Sequence, residues 1–81
     1  MTKEAVLEKI GSLVGEIAAG KGLNAPTIQA ETRLLGGGLP IDSLDLAGIV
    51  VELEAATGRD PFAQGFVDFR TAGELASLYV Q

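Results

Sequence analysis

The stretch that decides the fold is GGGLPIDSLDL, residues 36–46 of an 81-residue chain. Glycine and proline at its start break regular structure, and an apolar helical pattern follows directly after them. Four apolar residues then recur three and four positions apart, namely Leu46, Ile49, Val50 and Leu53. Because this spacing places them on one face of a helix, we predict a helix over about residues 43–57 that is ended by Gly58.

Upstream of this stretch, the sequence predicts a first helix from Thr2 to about Ala19, with Thr2 as the N-cap. Its apolar stripe has helical spacing and consists of Val6, Leu7, Ile10, Leu13, Val14 and Ile17. Residues 20–42 are rich in Gly, Pro, Asn and Thr, so we predict a long connection there. The apolar residues predicted to anchor this connection to the helices are Ile28, Leu34 and Leu35.

Downstream, Asp60 and Pro61 begin a new element, and residues 62–66 are predicted to form one short helical turn. Thr71 is followed three residues later by Glu74, which is the spacing of a capping box. A short last helix is therefore predicted, with apolar positions at Leu75, Leu78, Tyr79 and Val80. Together these elements predict an all-α fold in a single domain covering residues 1–81.

The chain contains neither cysteine nor histidine. Without cysteine there are no disulfides, no thiol catalysis and no thiolate metal sites, and a cytoplasmic location is favoured. Without histidine there is no Ser-His or Cys-His catalysis, and the commonest zinc sites are excluded. We therefore expect a protein that is not an enzyme and has no catalytic or metal-binding residues. No segment resembles a signal peptide or a membrane helix, so no membrane insertion is expected.

The net charge of –5 is distributed unevenly along the chain. The acidic and basic residues of the first 40 positions balance, whereas residues 41–81 contain seven acidic residues and only two arginines. An acidic surface repels nucleic acid and attracts basic protein surfaces. The partners expected from charge are therefore proteins, and nucleic acid is not expected to bind.

Ser43 lies at the start of the predicted second helix. Free backbone N–H groups and the positive end of the helix dipole would stabilise a phosphate ester at such a position. The chain has no histidine that could activate this serine as a nucleophile. We therefore interpret Ser43 as a residue that another protein modifies, and the long loop in front of it would expose it for that purpose.

The second helix carries a second apolar stripe, formed by Leu44, Ala47, Gly48 and Val51. So small a domain cannot easily bury both stripes, and an exposed apolar strip with an acidic rim is typical of a protein-docking surface. The predicted docking residues are Asp42, Leu44, Asp45, Ala47, Gly48 and Val51. The two aspartates are expected to pair with basic groups on partner proteins. The alternative is a helix that is buried on two sides, as in a homodimer.

These features resemble the acyl carrier protein family over the whole chain. That family has a helix, a long anchored loop, an Asp-Ser-Leu motif that opens a second acidic helix, a short third helix and a final helix. The matching residues here are Asp42-Ser43-Leu44-Asp45, preceded by Leu34-Leu35-Gly36-Gly37-Gly38. The resemblance implies a small four-helix bundle with three longer helices and one short helix. It also implies that Ser43 carries 4′-phosphopantetheine, donated by coenzyme A and attached by a separate Mg²⁺-dependent phosphopantetheinyl transferase.

In such a carrier, the flexible arm holds an acyl or aminoacyl group as a thioester. A ligase loads the group, downstream enzymes use it, and the carrier is expected to be a monomer. The sequence departs from the family at Gly48, where many fatty-acid carriers have a glutamate five residues after the serine. The region expected to form the third helix also lacks the usual strongly acidic character. These departures favour a stand-alone carrier in a specialised biosynthetic pathway with a dedicated ligase.

Two other interpretations use the same residues. Three glycines before a helix suggest a phosphate-binding loop, but the Gly-Lys-Ser/Thr ending of a nucleotide loop is missing and no strand is predicted before it. A small helical interaction or dimerisation adaptor would use the apolar face of the second helix and would not need Ser43. Reaction with coenzyme A and a transferase separates this adaptor from a carrier.

Overall fold

Three helices joined by long loops form the described part of the chain. The computed structural model describes residues 2–24, 27–36, 39–63, 65 and 68–80. Within these residues, α1 spans Lys3–Gly20, α2 spans Ser43–Thr57 and α3 spans Ala72–Ser77. Apart from an isolated antiparallel bridge between Arg33 and Thr71, this part of the chain contains no β-structure. The predicted all-α class is therefore confirmed.

Each helix is preceded by a residue whose side chain accepts a hydrogen bond from the backbone N–H three residues further on. Thr2 caps α1 and accepts from Ala5 at 3.1 Å. Thr71 caps α3 and forms a capping box with Glu74, as predicted. The bounds of α2 and its end at Gly58 are as predicted, and α1 agrees within one residue. Gly58 has a φ of 72°, a conformation that glycine adopts without strain.

The core forms where α1 packs against both α2 and α3. Helix α1 contributes Val6, Ile10, Leu13, Val14 and Ala18; α2 contributes Leu46, Ile49 and Leu53; and α3 with its following turn contributes Ala72, Leu75, Ala76 and Tyr79. The radius of gyration of 11.7 Å matches the roughly 12 Å expected for a compact domain of this length. None of the helices in the described part of the chain is both long enough and apolar enough to span a membrane.

The long connection between α1 and α2 is anchored by two of the three predicted residues. Leu34 is 1% exposed, and Ile28 is partly buried against the core beside Gly11. The prediction for Leu35 is wrong, because its side chain is 42% exposed. A loop that turns sharply buries only one of two adjacent leucines, and here a backbone hydrogen bond from Leu34 to Arg70 selects the first.

The predicted short helix before α3 is not confirmed. Residues 61–63 form turns, with backbone hydrogen bonds from Ala63 to Asp60 at 3.3 Å and from Gly65 to Phe62 at 3.1 Å. The rest of that prediction falls on Gln64 and Phe66, which lie outside the described residues.

Candidate functional site

Ser43 is the first residue of α2 and is exposed to solvent. The backbone N–H groups of Ser43 and Leu44 have no hydrogen-bond acceptor among the described residues, as is usual in the first turn of a helix. The partial positive charge of a fifteen-residue helix is concentrated at the same point. The side chain of Ser43 therefore projects from a site that favours negative charge.

Two aspartates fix the backbone around Ser43. The Oδ1 atom of Asp42 accepts a hydrogen bond from the backbone N–H of Asp45 at 2.9 Å. In return, Oδ2 of Asp45 accepts from the backbone N–H of Asp42 at 3.1 Å. This reciprocal capping box holds the start of α2 and with it the position of Ser43.

Lys21, which follows α1, completes this arrangement. Its Nζ atom donates to Oδ2 of Asp45 at 2.6 Å and to the backbone oxygen of Pro40 at 3.0 Å. The hydrogen bond to Asp45 raises the pKa of Lys21. The hydrogen bond from Lys21, together with that from the Asp42 backbone, lowers the pKa of Asp45. The end of the long connection is thereby tied to α1 immediately before Ser43.

These bonds give Asp45 a role within this chain, because its carboxylate is bonded to Lys21 and to the backbone of Asp42. Its pairing with basic groups on partner proteins stays a prediction. Asp45 therefore organises the start of α2 within this chain. Asp42 shares that structural role through its own side chain.

A largely apolar cavity of about 830 Å³ opens beside Ser43, and we call it the Ser43 pocket. Its apolar walls come from α2, from the long connection between α1 and α2 and from the segment before α3, and include Leu34, Leu35, Leu46, Ala47, Val50, Phe62 and Phe69. The rings of Phe62 and Phe69 lie 5.9 Å apart in a tilted arrangement. An apolar group attached at Ser43 can therefore be sheltered from water close to its point of attachment.

The predicted docking residues are distributed over two sides of α2. Leu44, Asp45 and Gly48 line a second cavity of about 540 Å³ between α1 and α2, which we call the interhelical groove. A Cβ atom added at Gly48 would have no heavy atom within 4 Å, so this glycine leaves open space in the groove. Ala47 instead lines the Ser43 pocket, and Val51 is 62% exposed. Leu44 is the most exposed large apolar side chain described, at 81%.

Sequence reasoning missed Lys21, Arg33 and Arg70, all of which lie near Ser43 in space. The first is 24 residues from its partner Asp45, and no local pattern connects them. The arginines line the Ser43 pocket from two segments joined by the bridge at Arg33. By contrast, the spacing Asp-x-x-Asp at the start of α2 is a local signal that could have indicated the capping box.

No family model, curated protein or solved structure matches this chain. The geometry around Ser43 and the sequence motif there are the features of this chain that bear on its function.

Proposed function

We propose that this chain is a carrier protein of the acyl carrier type, with 4′-phosphopantetheine attached covalently to Ser43. The arm would hold an acyl or aminoacyl group as a thioester and present it to partner enzymes. The observation that carries the proposal is the exposed serine at the capped start of α2, next to an apolar pocket of about 830 Å³. The four-helix form of the family, with its short additional helix, belongs to the same proposal.

The start of α2 suits a phosphodiester. The N–H groups of Ser43 and Leu44, which have no acceptor in the described part of the chain, can donate to phosphate oxygens, and the helix dipole stabilises the added negative charge. Asp42 and Asp45 use their carboxylates to cap the helix, and Asp45 also binds Lys21, so the backbone at the serine is held in place. Ser43 is also exposed, so a modifying enzyme can reach it.

A thiol is the functional end of such an arm. The chain has no cysteine, so the attached group must supply the sulfur on which a thioester forms. The protein itself performs no catalytic step in this proposal. Its residues position the arm and offer the Ser43 pocket to the carried group.

The partners implied are a phosphopantetheinyl transferase, a ligase that loads the acyl or aminoacyl group, and downstream enzymes that use it. Leu44 and Val51, both strongly exposed on α2, are the apolar residues best placed to contact them. Gly48 in the interhelical groove replaces the glutamate common in fatty-acid carriers, which supports a dedicated ligase in a specialised pathway. We propose a cytoplasmic monomer.

The test is intact mass spectrometry after incubation with coenzyme A and a broad-specificity transferase. The proposal predicts the addition of one phosphopantetheinyl group to the wild type and none to Ser43→Ala. Ser12→Ala and Ser77→Ala serve as matched controls and should be modified like the wild type. A wild type that stays unmodified would favour the second candidate.

The second candidate is an interaction or dimerisation adaptor without a prosthetic group. It is favoured by the exposure of Leu44 and Val51, at 81% and 62%, on one helix. If these side chains form a dimer interface, sedimentation equilibrium should show a dimer that Leu44→Ala weakens. If the protein sediments as a monomer at every concentration measured, it is not a dimerisation adaptor.

A further inference from the structure

Lys21 binds the chain on both sides of Ser43. Its Nζ atom donates to the backbone oxygen of Pro40 at 3.0 Å, before the serine, and to Oδ2 of Asp45 at 2.6 Å, after it. These partners lie 19 and 24 residues further along the chain, whereas Lys21 itself directly follows α1. One side chain at the end of α1 therefore holds both ends of the short segment that carries the serine.

The capping box alone does not fix Ser43 relative to α1. The reciprocal hydrogen bonds between Asp42 and Asp45 join two residues of the same turn, so they set the shape of that turn and not its place in the fold. In the part of the chain that the structure describes, the one ion pair is that between Lys21 and Asp45, and it crosses from α1 to α2. Lys21 is therefore the residue whose side chain ties the capped turn to α1.

The ion pair is exposed enough to contribute little to global stability. The side chain of Lys21 is 40% exposed and that of Asp45 is 23% exposed. Ion pairs in such surroundings are weakened by water and by the entropy of holding two flexible side chains. We therefore expect Lys21 to affect the position of Ser43 more than the folding of the domain.

The charge of Lys21 opposes the electrostatic role expected of this surface. Acidic residues attract basic partner proteins, and a lysine bonded to Asp45 offsets that attraction. If charge alone governed modification, removing the ammonium would help the transferase to bind. If Lys21 positions the serine, removing it would slow the transfer, so the two roles predict effects of opposite sign.

We propose that Lys21 is a positioning residue for the modification of Ser43, acting through its bonds to Asp45 and Pro40. This inference rests on the proposed function. In the transfer, Oγ of Ser43 forms a bond to the pantetheine-side phosphorus of coenzyme A, and the pyrophosphate bond to that phosphorus breaks. The adenosine bisphosphate half leaves, and the hydroxyl proton passes to solvent. Lys21 takes no part in these bond changes.

The experiment measures kcat and KM for transfer from coenzyme A, with the carrier as the varied substrate of a broad-specificity transferase. Lys21→Met should lower kcat roughly tenfold, less than the roughly hundredfold that a displacement of about 1 Å can cost a reaction. Lys21→Arg keeps the charge and the donors, so it should retain most of the wild-type kcat. Lys3→Met removes an equal charge at the opposite end of α1 and should leave kcat unchanged.

A double-mutant cycle tests whether Lys21 acts through Asp45. Lys21→Met and Asp45→Asn should each lower kcat, and the double variant should be no slower than the slower single variant. Glu74→Ala, which removes the capping-box carboxylate of α3, controls for lost stability and should keep the wild-type kcat. Urea unfolding establishes that each variant is folded under the assay conditions.

The outcomes separate this inference from the proposed function. If the wild type is not modified, both fail. If the wild type is modified and Lys21→Met has the wild-type kcat or a higher one, the positioning inference alone fails. A loss confined to KM would assign Lys21 to partner binding and reject positioning. Additive losses in the cycle would reject the route through Asp45, and an equal loss of kcat in Glu74→Ala would assign the effect to general stability.

Discussion

The Nζ atom of Lys21 lies 2.6 Å from Oδ2 of Asp45, which joins the end of α1 to the first turn of α2. The same carboxylate oxygen accepts the backbone N–H of Asp42 at 3.1 Å. One acidic group therefore completes the helix cap and the interhelical ion pair. Ser43 lies between the two capping residues, so its position depends on the capping hydrogen bonds and on the ion pair between Lys21 and Asp45.

The pH dependence of this arrangement follows from the lowered pKa of Asp45. The folded pKa lies below the ordinary value of 3.8, so the stabilisation is fully present above 3.8 and is lost as the pH falls through the folded pKa. Asp45→Asn should therefore be less stable than the wild type at neutral pH. The difference should narrow as the pH falls below 3.8 and close once the pH lies below the folded pKa, where the wild-type carboxyl is neutral in both the folded and the unfolded state.

Urea unfolding of both proteins from neutral to acid pH measures this difference. The pKa of Glu74 is also lowered, because its carboxylate accepts backbone hydrogen bonds at the start of α3. Glu74 titrates in both proteins, so its contribution to the pH dependence of stability cancels in the comparison. A stability difference that stays constant down to the lowest pH would contradict the assigned role of Asp45.

The start of α2 illustrates what local sequence reveals. The bounds Ser43–Thr57 were predictable because the apolar period and Gly58 are local signals. The contact between Lys21 and Asp45 was not predictable, because it depends on how a connection of about twenty residues folds back onto α1. The exposure of Leu35 was missed for the same reason, since apolar character alone does not say which of two adjacent leucines faces the core.

The candidate site likewise contains some features that the sequence predicts and others that it does not. Ser43 and the exposed stripe with Leu44 and Val51 were predictable from their positions on one helix. The Ser43 pocket was not, because its walls come from three separate segments. Arg33 and Arg70 are brought to that pocket by tertiary backbone hydrogen bonds, which leave no pattern in the sequence.

Two helical glycines should respond oppositely to substitution. An added Cβ at Gly48 meets nothing within 4 Å, so Gly48→Ala should raise the free energy of unfolding by about 1 kcal/mol through helix propensity. An added Cβ at Gly73 would lie 2.7 Å from the backbone oxygen of Ala30, so Gly73→Ala should destabilise the protein. Thermal unfolding compares the two variants. A destabilised Gly48→Ala would show that the interhelical groove is closed.

Alanine substitutions at two leucines of α2 should distinguish a residue that contacts partners from a residue that stabilises the fold. Leu44 is 81% exposed, so Leu44→Ala should change stability by no more than about 0.5 kcal/mol. The same substitution at the fully buried Leu53 should cost about 2–5 kcal/mol. If Leu44 contacts the transferase, its truncation should lower kcat/KM for modification by roughly tenfold, equivalent to about 1.4 kcal/mol. An unchanged kcat/KM would remove Leu44 from the docking surface.

The hydroxyl of Tyr79 is buried and has no hydrogen-bond partner among the residues that the structure describes. Tyr79→Phe should therefore raise stability by about 1 kcal/mol at neutral pH, because an unsatisfied polar atom is removed from the core. Burial, with smaller contributions from the charges of Asp60 and Glu54, raises the pKa of Tyr79 to about 12. The folded state thus favours the neutral phenol, and this stabilisation is present below pH 10.0 and lost between pH 10.0 and about 12.

Melting temperatures measured across this alkaline range test the assignment. The wild type should lose stability relative to Tyr79→Phe as the pH rises above 10.0. Lysine titration is common to both proteins and cancels. A constant difference between the two would show that the phenol reaches solvent.

The most direct test of the carrier proposal is the mass of the intact protein after reaction with coenzyme A and a broad-specificity phosphopantetheinyl transferase. The proposal predicts one added phosphopantetheinyl group, located at Ser43 by fragmentation and absent from Ser43→Ala. An unmodified wild type under conditions that fully modify a known carrier, or modification that persists in Ser43→Ala, would contradict it.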